Sequence, residues 1–155
     1  VTNYSNSTFK RKAAKPTKRS KLSRVSKTPI TKLKKKLWQL CRSIIIKRYG
    51  NTCYPCGAFG LSGSNLHIGH FIPSSVCSAA VRYDLENLRP SCYRCNIHLS
   101  GNWPAYEEHL KRDGIDVEAL KQHNRDTQGM KADNVWYEAK ISEYESILEE
   151  LETMI

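Results

Sequence analysis

Cys53-Tyr54-Pro55-Cys56-Gly57 and Cys92-Tyr93-Arg94-Cys95-Asn96 decide how this chain folds. A Cys-x-x-Cys pair lets two sulfurs from one tight turn reach a single ion, and two such pairs supply the four thiolates of a closed tetrahedral zinc site. Gly57 directly after the first pair suits that turn. Six cysteines would otherwise read as a disulfide framework. The N-terminal region is basic and polar with no apolar stretch after it, and without a secretion signal paired cysteines favour metal. The spacing therefore predicts structural Zn²⁺ on Cys53, Cys56, Cys92 and Cys95. With all four positions filled by protein, that zinc ties the chain together and does no chemistry. Cys41 falls on the apolar side of a helical pattern and Cys77 has no partner at ligand spacing, so neither joins the site.

Between the knuckles, Leu66 to Ile72 is apolar enough for a strand, which Pro73 ends. Asn87 to Ser91 suits a second short strand returning to the second knuckle, and a helix is expected just after Cys95. Ser74 to Tyr83 reads as a connection with room for a helical turn. The polar residues enclosed here need a role beyond the staple. His67 and His70 flank Ile68-Gly69, Asn96 follows the second knuckle, and His98 comes two residues later. A histidine of near-neutral pKa can take a proton from water. An oxygen ligand beside it can hold Mg²⁺ or Mn²⁺ against a phosphate.

Working outward, the 155 residues carry a net charge of +10 and a pI of about 9.4. That size fits one modest domain with extensions. The charge favours an anionic partner, most simply DNA. No apolar run approaches the roughly 18 residues that span a bilayer, so no membrane segment is expected and an intracellular location is. Residues 1–29 read as a disordered basic arm, rich in Ser, Thr and Lys, and no Asp or Glu occurs before Asp84. The arm is either a DNA contact or a solubilising tail.

A basic helix should start near Thr28 or Thr31 and stop at Gly50, with Leu33, Leu37, Leu40, Cys41, Ile44 and Ile45 on one face. Lys32, Lys34, Lys35, Lys36, Arg42, Lys47 and Arg48 fill much of the rest. Together with Arg89 and Arg94 they are the expected DNA contacts. Residues 30–130 thus hold the basic helix and the zinc-bound core. Pro104 suits the first turn of a helix running to about Arg112, which Asp113-Gly114 ends. Val117 to His123 is a further short helix, and Asn124 to Gly129 a polar loop whose neighbour His123 could touch DNA. His109 reads as a packing residue. Over 131–155, Asp133 caps a last helix on which Tyr137, Ile141, Tyr144, Leu148, Leu151 and Ile155 form a heptad seam. The seam serves either a homodimer or packing within the domain.

Gly69-His70-Phe71, Glu86-Asn87-Leu88 and Cys92-x-x-Cys95-Asn96 resemble the His-Asn-His/Asn (HNH) endonucleases. The closer resemblance is to the lambdoid-phage NinG (Rap) recombination proteins. It runs through the first knuckle, the Gly-His pair, Cys95-Asn96-x-His98 and the Ser100-Gly101-Asn102 that follows. The layout is also similar to the endonuclease VII junction resolvases, which are dimers. The resemblance implies an α+β fold, mostly α: a small zinc-stapled ββα-metal (HNH) core flanked by the N-terminal basic helix and C-terminal helices. It also implies a metal-dependent endodeoxyribonuclease acting on branched intermediates such as Holliday junctions and D-loops. His70 would be the general base, Asn96 a ligand of catalytic Mg²⁺ or Mn²⁺, and Asn87 the tie that orients His70. Family members often carry Asp or His directly before the base. Here that position is Gly69, so the second ligand falls to His67 or His98. A phage origin would put the protein in the cytoplasm of a bacterial host. The alternative is a zinc-stabilised DNA-binding or architectural protein without catalysis; a sequence-preferring enzyme of the same chemistry ranks below both.

Deleting residues 1–27 is expected to weaken binding to all DNAs alike and to flatten the plot of log affinity against log salt. Each duplex phosphate that the shortened chain no longer neutralises takes roughly 0.9 off that slope. An unchanged slope would show that the arm does not touch DNA.

Overall fold

The computed structural model describes residues 28–154, so nearly all of the expected arm, and Ile155 at the foot of the seam, lie outside the described residues. The first element, α1 (Ile30–Tyr49), buries Leu33, Leu37, Cys41, Ile44 and Ile45 along one stripe. It stops at Gly50, whose φ of +69° is the left-handed conformation that glycine adopts without a Cβ penalty. Two short strands follow, β1 (His67–His70) and β2 (Leu88–Ser91), paired antiparallel with His67 opposite Ser91 and His70 opposite Leu88. Both are shorter than the apolar pattern predicts. The four-residue helix α2 (Ala79–Arg82) interrupts the connection between them, capped by the Ser78 hydroxyl.

After the second knuckle the expected helix is instead one π-helical turn, Arg94–His98. Ser100, Gly101 and Asn102 all take positive φ and stop it there. Non-glycine residues occupy that region at a cost, and two of them flanking a glycine reverse the chain before a full α-helix can form. Then come α3 (Trp103–Arg112), with proline in its first turn, and α4 (Val117–Thr127). The helix α4 continues through Asn124, where a polar loop was expected. Its polar face docks the α2 region: Asn124 Oδ1 accepts from Ser78 N at 2.8 Å, and the Thr127 and Ser78 hydroxyls lie 2.7 Å apart. His123, expected as the last residue of this helix, lies within it.

The last helix, α5 (Asn134–Thr153), starts at Asp133, whose side chain accepts from Trp136 N. Asn134 Nδ2 donates to Thr28 O near its start, while Lys36 pairs with Glu145 and Lys47 with Glu152 further along. These contacts make α1 and α5 parallel neighbours. Tyr137, Ile141 and Tyr144 are buried against α1 and Tyr83, with Leu148 and Leu151 partly buried beside them. The chain's own α1 thus packs on this seam, which is the second of the two uses expected for it. A second core, Phe71, Ile72, Val81, Tyr106, Leu110, Val117 and Leu120, joins α3 and α4 to the loop after β1. The whole is a mostly helical α+β fold around a two-stranded sheet. Among the described residues no helix is long and apolar enough to cross a membrane.

Ile141→Ala should destabilise the fold by about 2–5 kcal/mol, because it opens a cavity between α1 and α5. Urea unfolding followed by circular dichroism measures this.

Candidate functional site

The two knuckles bring Cys53, Cys56, Cys92 and Cys95 together, with all four sulfurs within 4.8 Å of one another. Cys56 and Cys92 Sγ are 3.9 Å apart, close to the roughly 3.8 Å edge of a tetrahedron with Zn–S bonds of about 2.3 Å. Polar hydrogens already point at the sulfurs. Cys92 N donates to Cys53 Sγ, Cys95 N to Cys92 Sγ, and Asn102 Nδ2 to Cys95 Sγ. Such donors favour the thiolate form that a metal needs. The four residues fit a closed structural zinc site. Gly57 turns the first knuckle at φ +76°, and Tyr54 N donates to Pro90 O, which ties that knuckle to β2. Cys41 stays outside, as expected: it is fully buried in the α1 stripe, and burial pushes its thiol up to about 12. Cys77 is partly buried against the second core.

Alternation along β1 sends Ile68 and His70 to one face and His67 and Gly69 to the other. A cleft of about 480 Å³ is lined by Ile68 and His70, by Asn96 from the π turn, and by Ser74, Ser75 and Gly101 at its rim. The His70 ring stacks on Trp38 of α1, with centroids 5.3 Å apart and planes 5° from parallel. Its Nε2 donates to the carbonyl of Arg82 at 3.1 Å. That bond fixes the proton on Nε2 and leaves Nδ1 as the lone-pair nitrogen. Burial pushes the His70 pKa below the ordinary histidine value, the Arg82 carbonyl opposes this, and the positive charge of Arg82 adds to it.

Asn87 is fully buried and uses both ends of its amide. Its Oδ1 accepts from Ile72 N at 2.7 Å, and its Nδ2 donates to the carbonyls of Ile72 and Val81. These bonds clamp the turn directly after His70. Asn96 Nδ2 donates to His67 Nδ1 at 3.1 Å, and His67 Nε2 donates to Ser64 O at 2.9 Å. Both nitrogens of His67 are therefore engaged. No hydrogen bond among the described residues engages Asn96 Oδ1, which is free to face a cation. His98 is not brought to the cleft; it is exposed, and its ring meets the edge of Tyr93.

Arg89 corrects the expected DNA surface. It is 1% exposed, its Nη1 donates to the carbonyls of Leu85, Glu86 and Leu88, and its guanidinium lies 4.4 Å over the Tyr49 ring. The side chain anchors β2 against the end of α1 and cannot reach a phosphate. The other basic residues divide by flank. Lys36 and Lys47 pair with acids of α5, and Lys34 lies over the Tyr137 ring. Lys35 and Arg42 lie one turn to either side of Trp38, on its flank of α1. Arg42 also donates to Leu66 O. Lys32, Arg48 and Arg94 are exposed. His109 Nδ1 donates to Tyr54 O, a packing role.

Four cysteines placed to hold one metal ion, beside a cleft lined by histidine and asparagine, define a small protein with a candidate metal staple and a polar cleft. The chain belongs to the family described as bacteriophage lambda NinG protein, whose model matches residues 3–153. That membership points to a phage role connected with recombination. No curated protein and no solved structure matches the chain.

Cys53→Ser or Cys92→Ser should release the metal and unfold the core, since structural zinc supplies on the order of 10 kcal/mol or more of folding free energy. Cys41→Ser and Cys77→Ser should keep one zinc per chain by elemental analysis.

Proposed function

We propose that the chain is a metal-dependent HNH-type endonuclease that hydrolyses DNA phosphodiester bonds, selective for branched recombination intermediates such as Holliday junctions and D-loops. The observation that carries this reading is His70: its Nε2 is tied to the Arg82 carbonyl, its ring is held on Trp38, and it shares a cleft with Asn96. A neutral imidazole so held presents Nδ1 as a base of fixed direction.

In this reading His70 Nδ1 takes a proton from water as the water oxygen bonds to phosphorus and the bond to the leaving 3′-oxygen breaks. Asn87 keeps the base aimed by clamping the backbone that follows it. Asn96 Oδ1 would hold Mg²⁺ or Mn²⁺; its unengaged lone pairs fit a hard cation. When bound, that cation supplies charge neutralisation at the phosphate and the leaving oxygen. Lys35 and Arg42 bracket Trp38 and would contact the backbone entering the cleft, with Lys32 and Arg94 further out. Branch selectivity rests on the NinG resemblance. Junction resolution also favours two copies of one site, and a homodimer would have to use a surface other than the seam covered by α1.

The test is cleavage of a plasmid and of a synthetic four-way junction with Mg²⁺, Mn²⁺ or EDTA. His70→Ala is expected to lose about 10²- to 10⁴-fold in rate while keeping zinc and DNA affinity. The wild-type rate should rise with pH as His70 loses its proton, then level off. Because burial lowers the His70 pKa, the midpoint should fall below the ordinary value of 6.5. Wild-type cleavage by His70→Ala would overturn this mechanism, and binding without any cleavage would favour the architectural alternative.

A further inference from the structure

Ser91, the last residue of β2, is 1% exposed and its Oγ makes no hydrogen bond. Buried hydroxyls without partners are rare and demand an explanation. The explanation lies across the sheet. A Cβ built on Gly69 would stand 3.1 Å from Ser91 Cβ, 3.3 Å from Asn96 Oδ1 and 3.5 Å from Ser91 Oγ, so a side chain here would crowd both residues. The hydroxyl and the carboxamide oxygen thus flank one small space, which glycine leaves clear of any side chain. The neighbouring histidine fixes which amide atom faces it. Ser64 O can only accept, so His67 Nε2 carries the proton and Nδ1 must accept. Only the NH₂ end of Asn96 can satisfy that nitrogen, which turns Oδ1 toward the space beside Gly69.

We propose that Ser91 Oγ and Asn96 Oδ1 are the two protein ligands of the divalent cation, with His67 a positioning residue for the Asn96 amide rather than a ligand. The inference rests on the metal-dependent reading above and names the ligand that Gly69 leaves open. Two oxygens suit Mg²⁺ and Mn²⁺, which keep several waters and complete their shell with substrate phosphates. Both protein donors are neutral. The bound ion would keep its full charge for the phosphate, so binding should be weak in the free protein and tighter with DNA present.

The test is Mn²⁺ binding to the zinc-loaded full chain, read from the EPR signal of free Mn²⁺. A four-way DNA junction supplies phosphate, and His70→Ala in every protein prevents cleavage. Ser91→Ala should weaken Mn²⁺ binding about tenfold or more, with zinc content and circular dichroism unchanged. Ser91→Cys, which keeps the side chain in place but softens the donor, should lose Mn²⁺ affinity and gain Cd²⁺ affinity. ¹⁵N-labelling of histidine should leave the spin-echo modulation of bound Mn²⁺ unaltered, because no imidazole touches the ion. Equal Mn²⁺ affinity in Ser91→Ala, or a histidine nitrogen coupling to the ion, would overturn the assignment. If Asn96→Ala abolishes Mn²⁺ binding and Ser91→Ala spares it, this inference falls and the nuclease reading stands. If the wild type cleaves no DNA with any divalent ion, the reading beneath it falls instead.

Discussion

Convergence of four sulfurs is the constraint on which the rest depends. The sheet has only two strands of four residues each. A two-stranded sheet of that length is not stable alone in water. Cys53 and Cys56 reach it through the Tyr54–Pro90 backbone bond, and Cys92 and Cys95 continue directly from β2. One ion on the four thiolates would therefore fix the end of β2 and the start of the π turn together. Asn96 is one residue beyond the staple, so its position follows from the metal geometry more than from packing. The Ser100-Gly101-Asn102 reversal adds a bond from Asn102 back to Cys95 Sγ and holds the far side of the same turn.

The helix α1 carries several duties on different flanks. One stripe closes the main core with α5, Trp38 backs the His70 ring, and Lys35 and Arg42 put charge beside it. At its end Tyr49 covers the Arg89 guanidinium, which fixes β2 from below. The buried guanidinium gives Nη1 to three carbonyls and lies against two rings, which replace part of its hydration, while its Nε has no hydrogen-bond partner. Histidine, asparagine and basic flank are thus mounted on elements that share packing, and none depends on a free loop.

What could be read from the chain alone was local chemistry. The paired cysteines, the Gly50 stop, Pro104 with its Asp113-Gly114 end and the Asp133 cap each act within a few residues, and each element lies where its signal put it. Other features escaped, most of them because they depend on partners distant in sequence. Arg89 looked like a phosphate contact until the rings of Tyr49 and Tyr54 enclosed it. The heptad seam could not say that α1 was its partner. The helix expected after Cys95 gave way to a π turn, a form with no signature in composition. The His67–Asn96 bond joins residues 29 apart, and the isolated hydroxyl of Ser91 is visible only once both strands are in register. The Asp or His that the resemblance led one to expect at Gly69 was legible as a gap, but the residues facing that gap were not.

The parallel pairing of α1 with α5 sets an order for folding during synthesis. Thr28 and Asn134, which are bonded in the finished protein, are 106 residues apart. At roughly 5–20 residues per second, α1 leaves the ribosome on the order of ten seconds before its covering helix exists. In that interval its stripe of Leu33, Leu37, Ile44 and Ile45 has no α5 to rest on. The cysteine knuckles are both complete well before α5 begins, so the stapled centre can close first and α5 can then seal α1 as the last act of assembly. A chain interrupted after α4 would keep its metal-binding cysteines and its cleft residues, yet would present α1 to the cell as an uncovered, sticky surface fit for chaperones or proteases.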